Sequence, residues 1–161
     1  MSNLRFNLTK EALLLAAQKL LAMELDPVPR YLILRDVMHL DLNDPILSRA
    51  EKLLTESRWI KLLRDSQWED GTWGRFHTQN TKIKQPIPTT EIAIRIALDS
   101  GLDRDSPILK KTIGFMVDHI DGRSEWRDWP EKHDNPAAWF VGIPYISAAN
   151  LALIDDNHQK L

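Results

Sequence analysis

The chain has 161 residues, of which 43% are hydrophobic and 27% charged, a composition that excludes intrinsically disordered and collagen-like proteins. It contains no cysteine, which excludes disulfides, thiolate zinc sites and cysteine nucleophiles and is typical of the reducing cytoplasm, the predicted location. Twenty-one Lys and Arg residues against 23 Asp and Glu residues leave a net charge of −2, which disfavours nucleic acid as a partner.

Apolar periodicity predicts a first helix over residues 10–24, with Thr9 as its N-cap. Its buried stripe would comprise Leu13, Leu14, Ala17, Leu20 and Leu21. The apolar stretch within it, residues 12–23, lacks the basic flank and cleavage site of a signal peptide and the length of a membrane span. We therefore expect neither a leader nor a transmembrane segment here.

Prolines after capping residues predict the next two helices. Asp26, Pro27 and Pro29 end the first helix and begin a second one, whose buried side would comprise Tyr31, Leu32, Leu34, Val37 and Met38. Asn43 or Asp44 then caps a third helix with Pro45 in its first turn, running toward Leu63. Because residues 55–58 are a weak link, this segment is either one helix or two.

The second half of the chain alternates helices with two long connections. Residues 67–90 show no sustained period and predict a loop, after which Thr89 or Thr90 caps a helix that ends before Gly101. Asp105 or Ser106 precedes a helix over 107–120, a second loop covers 121–136, and residues 143–154 form a last apolar helix. No strand-like alternation appears, so the sequence predicts an all-α domain of six or seven helices over 1–161.

Two imperfect repeat units are visible, at about residues 44–100 and 106–155. The string Asp44-Pro45-Ile46-Leu47 recurs as Ser106-Pro107-Ile108-Leu109. At an offset of 53 residues the segment from Ile60 matches that from Ile113, and Trp73 falls on Trp126. Such a repeat in an all-helical chain indicates helix pairs packed side by side.

The first unit contains Asp65-Ser66-Gln67-Trp68-Glu69-Asp70-Gly71-Thr72-Trp73-Gly74. A Gln, three residues, a Gly, one residue and a Trp, with an acidic residue before the Gly, resembles the QW repeat of the squalene-hopene cyclase and prenyltransferase superfamily. The small-residue helix from Pro88 to Leu98 is similar to the one that follows this motif in the family. In the second unit Ile120 and Ser124 replace the Gln and the Gly, so that copy is degenerate.

The resemblance implies an α/α-toroid-like fold, in which inner and outer helices enclose a central cavity. Six or seven helices amount to about half of such a barrel. Three interpretations follow: an incomplete chain, a half-toroid that pairs with a second copy or a partner chain, or a compact helical domain. An exposed apolar inner face would favour a homodimer and could bind an apolar small molecule.

The residues of the motif have a structural role that does not depend on the family. Asp70-Gly71 is a turn dipeptide in which Gly71 supplies a positive φ. Gln67 can satisfy backbone groups at a neighbouring helix end, and Trp73 can pack against it. We expect Gln67, Asp70, Gly71 and Trp73 to form a joint between helices and to take no direct part in catalysis.

Neither catalytic set of the family is complete in this sequence. Terpene cyclases of the family protonate an alkene with Asp-x-Asp-Asp, but Asp103-Arg104-Asp105-Ser106 lacks the last Asp and lies where a helix cap is needed. The prenyltransferase zinc set needs a cysteine. The five histidines show no helical zinc-site spacing, so no metal and no cofactor is predicted.

Aromatic and polar residues concentrate in the two predicted loops. If these loops meet at one end of the bundle, they would form a pocket for an apolar or sugar-like ligand, or a protein-binding patch. The alternative is that the tryptophans fix long loops onto the helices. The candidate pocket residues are Trp68, Trp73, His77, Trp126, Trp129, Glu131, His133, Asp134 and Trp139.

Two functions are consistent with these patterns. The first is a helical-repeat binding or assembly module that lacks the catalytic sets of the superfamily. The second is a truncated part or a subunit of an enzyme of that superfamily, acting on an isoprenoid or another apolar substrate.

Overall fold

The computed structural model describes residues 9–77, 85–124 and 136–161, and within 136–140 it describes the backbone alone. These ranges form seven α-helices and one π-helical turn, and they contain no β-strand, so the prediction of an all-α fold is confirmed. The helices are α1 Lys10–Leu21, α2 Pro27–Leu32, α3 Pro45–Thr55, α4 Arg58–Ser66, α5 Thr90–Asp99, α6 Pro107–Ile120 and α7 Pro136–Ile154, and the π-helical turn is Ile33–Val37.

Four predicted helix starts are confirmed by side-chain caps, whereas the last helix begins at Pro136 and the predicted start at residue 143 was wrong. Thr9, Asp44, Thr89 and Ser106 each accept a hydrogen bond from a backbone N–H in the first turn of the helix that follows. The open choices at three of these starts are thereby settled in favour of Asp44, Thr89 and Ser106. Asp26 caps α2 in the same way, and Pro occupies the first turn of α2, α3 and α6.

The segment from Pro45 to Ser66 was predicted to form either one helix or two, and the structure shows two. α3 ends at Thr55, and the backbone N–H groups of Glu56 and Ser57 bond back to Leu53 and Leu54 before α4 begins. At the end of α5, Gly101 has φ +90°, and the N–H of Leu102 donates to Ala97 at 3.0 Å. This is a Schellman ending, in agreement with the predicted stop at Gly101.

The apolar stripe of α1 is narrower than predicted. Ala17 is buried, and Leu14 and Leu21 are half-buried beside it, at positions i, i+3 and i+7. Leu13 and Leu20 are each 43% exposed, so their assignment to the buried stripe was wrong. Leu14, Ala17 and Leu21 span about two helical turns and define a single contact line, and leucines beside that line face outward.

The chain divides into two compact units, Met1–Arg58 and Trp59–Leu161. In the first unit α2 packs on α3, and α1 packs on the π-helical turn. The backbone N–H of Met38 donates to the carbonyl oxygen of Ile33 at 2.9 Å, which closes that turn. The chain then leaves the helical conformation at His39, whose φ is +52°. The predicted second helix therefore consists of an α-helical part, α2, followed by a π-helical turn with one extra residue per turn.

The second unit contains α4 to α7, with α6 and α5 packed on α7. Its core comprises Phe76, Ile94, Phe115, Met116 and Leu151, which come from α5, α6, α7 and the segment before α5. No helix in the described part of the chain combines the length and the apolar character needed to span a membrane.

Candidate functional site

Gln67 connects the end of α4 to the first turns of α6. Its Nε2 donates to the carbonyl oxygens of Gly71 at 3.1 Å and Ile108 at 2.9 Å, and lies 3.3 Å from Thr112 Oγ1. Thr112 Oγ1 donates in turn to the Gly71 carbonyl at 2.8 Å. One side-chain amide thus fixes the Gly71 turn against a helix that lies about 40 residues further along the chain.

Trp73 is the most buried aromatic side chain of the motif, with 1% of its surface exposed. Its indole Nε1 donates to the carbonyl oxygen of Leu63 at 2.9 Å, one turn before the end of α4. Its backbone N–H donates to Thr90 Oγ1 at 2.9 Å, and that hydroxyl donates back to the Trp73 carbonyl at 3.1 Å. Trp73 therefore joins α4 to the start of α5 and presents no surface to a ligand.

Gly71 lies where no side chain fits. It has φ +89°, and an added Cβ would come within 2.5 Å of the backbone carbonyl of Lys111 on α6. Asp70 closes the turn by accepting from both the N–H and the hydroxyl of Thr72, at 3.1 and 2.7 Å. The contacts of Gln67, Asp70, Gly71 and Trp73 are those of a joint between helices.

A polar cluster lies next to this joint, and His77 is its most exposed member. Glu91, in the first turn of α5, accepts from His77 Nδ1 on one carboxylate oxygen at 2.6 Å. It accepts from Asn150 Nδ2 of α7 on the other oxygen at 2.9 Å. A carboxylate held on both oxygens fixes the orientation of the imidazole, an arrangement that general acid–base chemistry uses.

A second imidazole, that of His119, is buried in the second unit. His119 Nδ1 and Ser147 Oγ lie 3.2 Å apart, and the Ser147 side chain is fully buried. The rings of Phe76, Phe115 and His119 follow one another at 5.9 and 6.3 Å between centroids, each pair at 20°. Burial lowers the pKa of His119 below its usual value near 6.5. The imidazole is therefore neutral near pH 7, and its role is to pack in the interior of the second unit.

The outer side of α7 is apolar and exposed. No residue between Pro136 and Ile154 is charged. Ile143, Ser147, Asn150 and Leu151 are buried, whereas Val141 is 65%, Tyr145 73% and Leu153 56% exposed. Ala149 and Ala152 lie on the same exposed side. We call Val141, Tyr145, Ala149, Ala152 and Leu153 the α7 face.

The string that most resembles a cyclase acid motif forms a turn and a cap. Asp103 Oδ1 accepts from the N–H of Asp105 at 2.9 Å, and Ser106 caps α6. Both aspartates are exposed. Arg104 pairs with Asp155 at 2.8 Å, and this contact raises the pKa of the guanidinium. Asp105 also pairs with Lys110 at 3.3 Å, and the interpretation of this string as the cap of a helix is confirmed.

The remaining predicted pocket residues lie largely outside the described residues. Trp126, Trp129, Glu131, His133 and Asp134 all fall there, and of Trp139 only the backbone, within α7, is described. Trp68 is 37% exposed, and its backbone N–H donates to the carbonyl oxygen of Thr72 at 2.9 Å. In the described ranges no three His, Asp or Glu side chains come close enough to hold a metal ion.

Sequence reasoning missed Glu91, His119, Ser147 and Asn150. Glu91 and His77 are 14 positions apart in the sequence, so no local pattern indicates that they pair. A polar signal was nevertheless present, because Ser147 and Asn150 are the polar residues of an otherwise apolar helix and are spaced three apart. Comparisons with protein-family models, with curated proteins and with solved structures give no match to this chain.

Proposed function

We propose that the chain is a helical binding or assembly module, built on a joint that resembles the QW repeat of the cyclase and prenyltransferase superfamily. Two observations support the module over a family catalyst. Gln67 and Trp73 are occupied by contacts between helices, and the one candidate acid motif is a solvated turn. The barrel-like arrangement that the resemblance implies stays a prediction.

The exposed α7 face carries the proposal. A helix that is apolar all round is normally covered on every side, but among the described residues α7 is buried along one side only. We propose that a second copy of the chain covers the other side. In a twofold-symmetric dimer the same surface of both copies forms the interface. Because the α7 face carries no charge, two copies of it can pack together without electrostatic repulsion. The face combines large residues with the small Ala149 and Ala152, so that Tyr145 of one copy can pack over Ala149 of the other.

Light scattering tests this proposal. The wild-type chain is expected to have a solution mass near twice 18.6 kDa at micromolar concentration. Tyr145→Lys is expected to give a monomer, because two buried like charges would face each other at the interface. Leu15→Lys makes the same kind of change at an exposed leucine of α1 and is expected to stay dimeric. A monomeric wild-type chain, or dimers in all three proteins, would contradict the α7 pairing.

The second candidate is an enzyme of the same superfamily acting on an isoprenoid or another apolar substrate, and the His77–Glu91 pair favours it. Incubation with squalene and with farnesyl diphosphate, followed by mass spectrometry of the products, tests this function. Turnover that disappears in His77→Gln at an unchanged melting temperature would favour the enzyme. The module predicts no product from either substrate.

A further inference from the structure

The first unit contains an apolar groove that the proposed function does not use. It lies between α3 and the α2 segment with its π-helical turn, and its volume is about 570 Å³. Small-molecule sites usually measure ~300–1,000 Å³. Leu34, from the π-helical turn, and Ala50 are its buried residues. Pro45, Ile46 and Leu53 form the rest of its apolar surface.

One side of α3 supplies most of this groove. Ile46, Arg49, Ala50 and Leu53 are spaced i, i+3, i+4 and i+7, so they follow one another along the helix for a little over 10 Å. Ile46 is 60% and Leu53 47% exposed, although both are large aliphatic side chains. The groove is therefore an open apolar channel about two helical turns long.

The charged side chains that line the groove are both arginines. Arg30 is held in place, because its Nη2 donates to the Leu21 and Met23 carbonyl oxygens at the end of α1, at 3.5 and 3.2 Å. Arg49 is exposed and forms no ion pair within the described part of the chain. The nearby acids Asp26 and Asp44 are engaged as N-caps of α2 and α3, accepting from Val28 and Ile46.

From this combination we infer that the groove binds an amphiphile with an aliphatic chain and a carboxylate head. The aliphatic lining would cover the chain, and the two guanidinium groups would bind the carboxylate. A macromolecular partner fits the groove less well, because a stable protein interface uses ~20–30 residues on each side. This inference is independent of the α7 face.

Calorimetric titration with decanoate and with decyltrimethylammonium, both below their micelle concentrations, tests the inference. The aliphatic chains of these probes differ by a single carbon, and their head groups carry opposite charges. One decanoate is expected to bind per chain, at least about tenfold more tightly than the cation, since a charged hydrogen bond contributes about that factor. Equal affinity for both probes would mean that the groove recognises apolar surface alone, and would overturn the carboxylate assignment.

Matched variants locate the site. Arg49→Gln is expected to weaken decanoate binding about tenfold, whereas Arg95→Gln, the same change at an exposed position of α5, is expected to leave it unchanged. Equal binding by the two variants, or no binding of decanoate by the wild-type chain, would overturn the site. Binding of an acidic amphipathic peptide in place of decanoate, weakened by Arg49→Gln, would assign the groove to a protein partner and refute the small ligand.

Discussion

Two tryptophans of the same motif, five residues apart, have opposite surroundings. Trp73 is 1% exposed and bonds to α4, whereas Trp68 is 37% exposed. A buried Trp replaced by Ala loses both the transfer free energy of the ring and the packing around the cavity, about 3–5 kcal/mol. Of the two tryptophans, Trp73 therefore contributes more to stability.

Trp73→Ala is expected to lower the free energy of unfolding by about 3–5 kcal/mol, measured by urea denaturation. Trp68→Ala is the matched control and is expected to cost much less, because part of its ring is already in water. A Trp73→Ala protein as stable as the wild type would refute the assignment of this residue to a joint between helices.

His119 predicts a pH dependence of stability. Burial lowers its pKa in the folded chain below the unfolded value near 6.5, so the unfolded chain binds more protons at acidic pH. The contribution of the neutral imidazole is complete above about pH 6.5 and is lost as the pH falls below that value. The melting temperature is therefore expected to decrease between pH 7 and pH 5.

The variant His119→Gln isolates this contribution from that of the carboxylates. It removes the titrating group, so its melting temperature is expected to fall less steeply than that of the wild type between pH 7 and pH 5. His39→Asn is the control, because His39 is exposed and Asn tolerates the positive φ at that position. Parallel curves for all three proteins would contradict the role given to His119.

At the scale of the elements, two glycines show opposite constraints. Gly71 has a positive φ and touches the backbone of α6, whereas a Cβ added to Gly114 within α6 would meet nothing within 4 Å. Gly71→Ala is expected to destabilise the chain by more than about 1–2 kcal/mol, since strain and a backbone clash add. Gly114→Ala is expected to stabilise it by about 0.5–1 kcal/mol.

Denaturant titrations of the two variants test this pair. The two changes insert the same methyl group, so any difference between them comes from the backbone conformation and the space at each site. A stabilising Gly71→Ala would mean that the turn can move away from α6, and the joint would then be looser than the contacts of Gln67 indicate.

The sequence was informative about helix starts because a cap involves residues only two or three positions apart. Thr9, Asp44, Thr89 and Ser106 were all identified in this way. The π-helical turn was not predicted, since its apolar spacing resembles that of an α-helix. The exposure of Leu13 and Leu20 was also missed. Periodicity indicates which side of a helix is apolar, but it does not indicate how much of that side the neighbouring helices cover.

The candidate site depended on non-local pairings, and the sequence anticipated only part of it. His77 was identified from its type and its loop. Its carboxylate partner Glu91 lies 14 residues further along the chain, and Asn150 lies 59 residues beyond Glu91. Gln67 was expected to contact a helix end, and its contact with Ile108 matches that expectation, although no local pattern specified which helix.

At the scale of the whole molecule, burial is uneven between the helices. α6 buries six residues, among them Leu109, Thr112 and Met116, each fully enclosed, whereas α1 buries Ala17 alone. Helices with few buried contacts open at low free energy. Hydrogen exchange is therefore expected to be fastest in α1 and slowest in α6, measured by mass spectrometry of peptides. Equal protection of α1 and α6 would contradict this order.

The uncharged character of α7 has a thermodynamic consequence. A contact made without ions should respond little to ionic strength, because there is no charge for salt to screen. It should instead carry a large negative heat capacity change, and near room temperature its driving force should be mainly entropic. Cooling would then separate two chains joined through this helix, while added sodium chloride would leave them together.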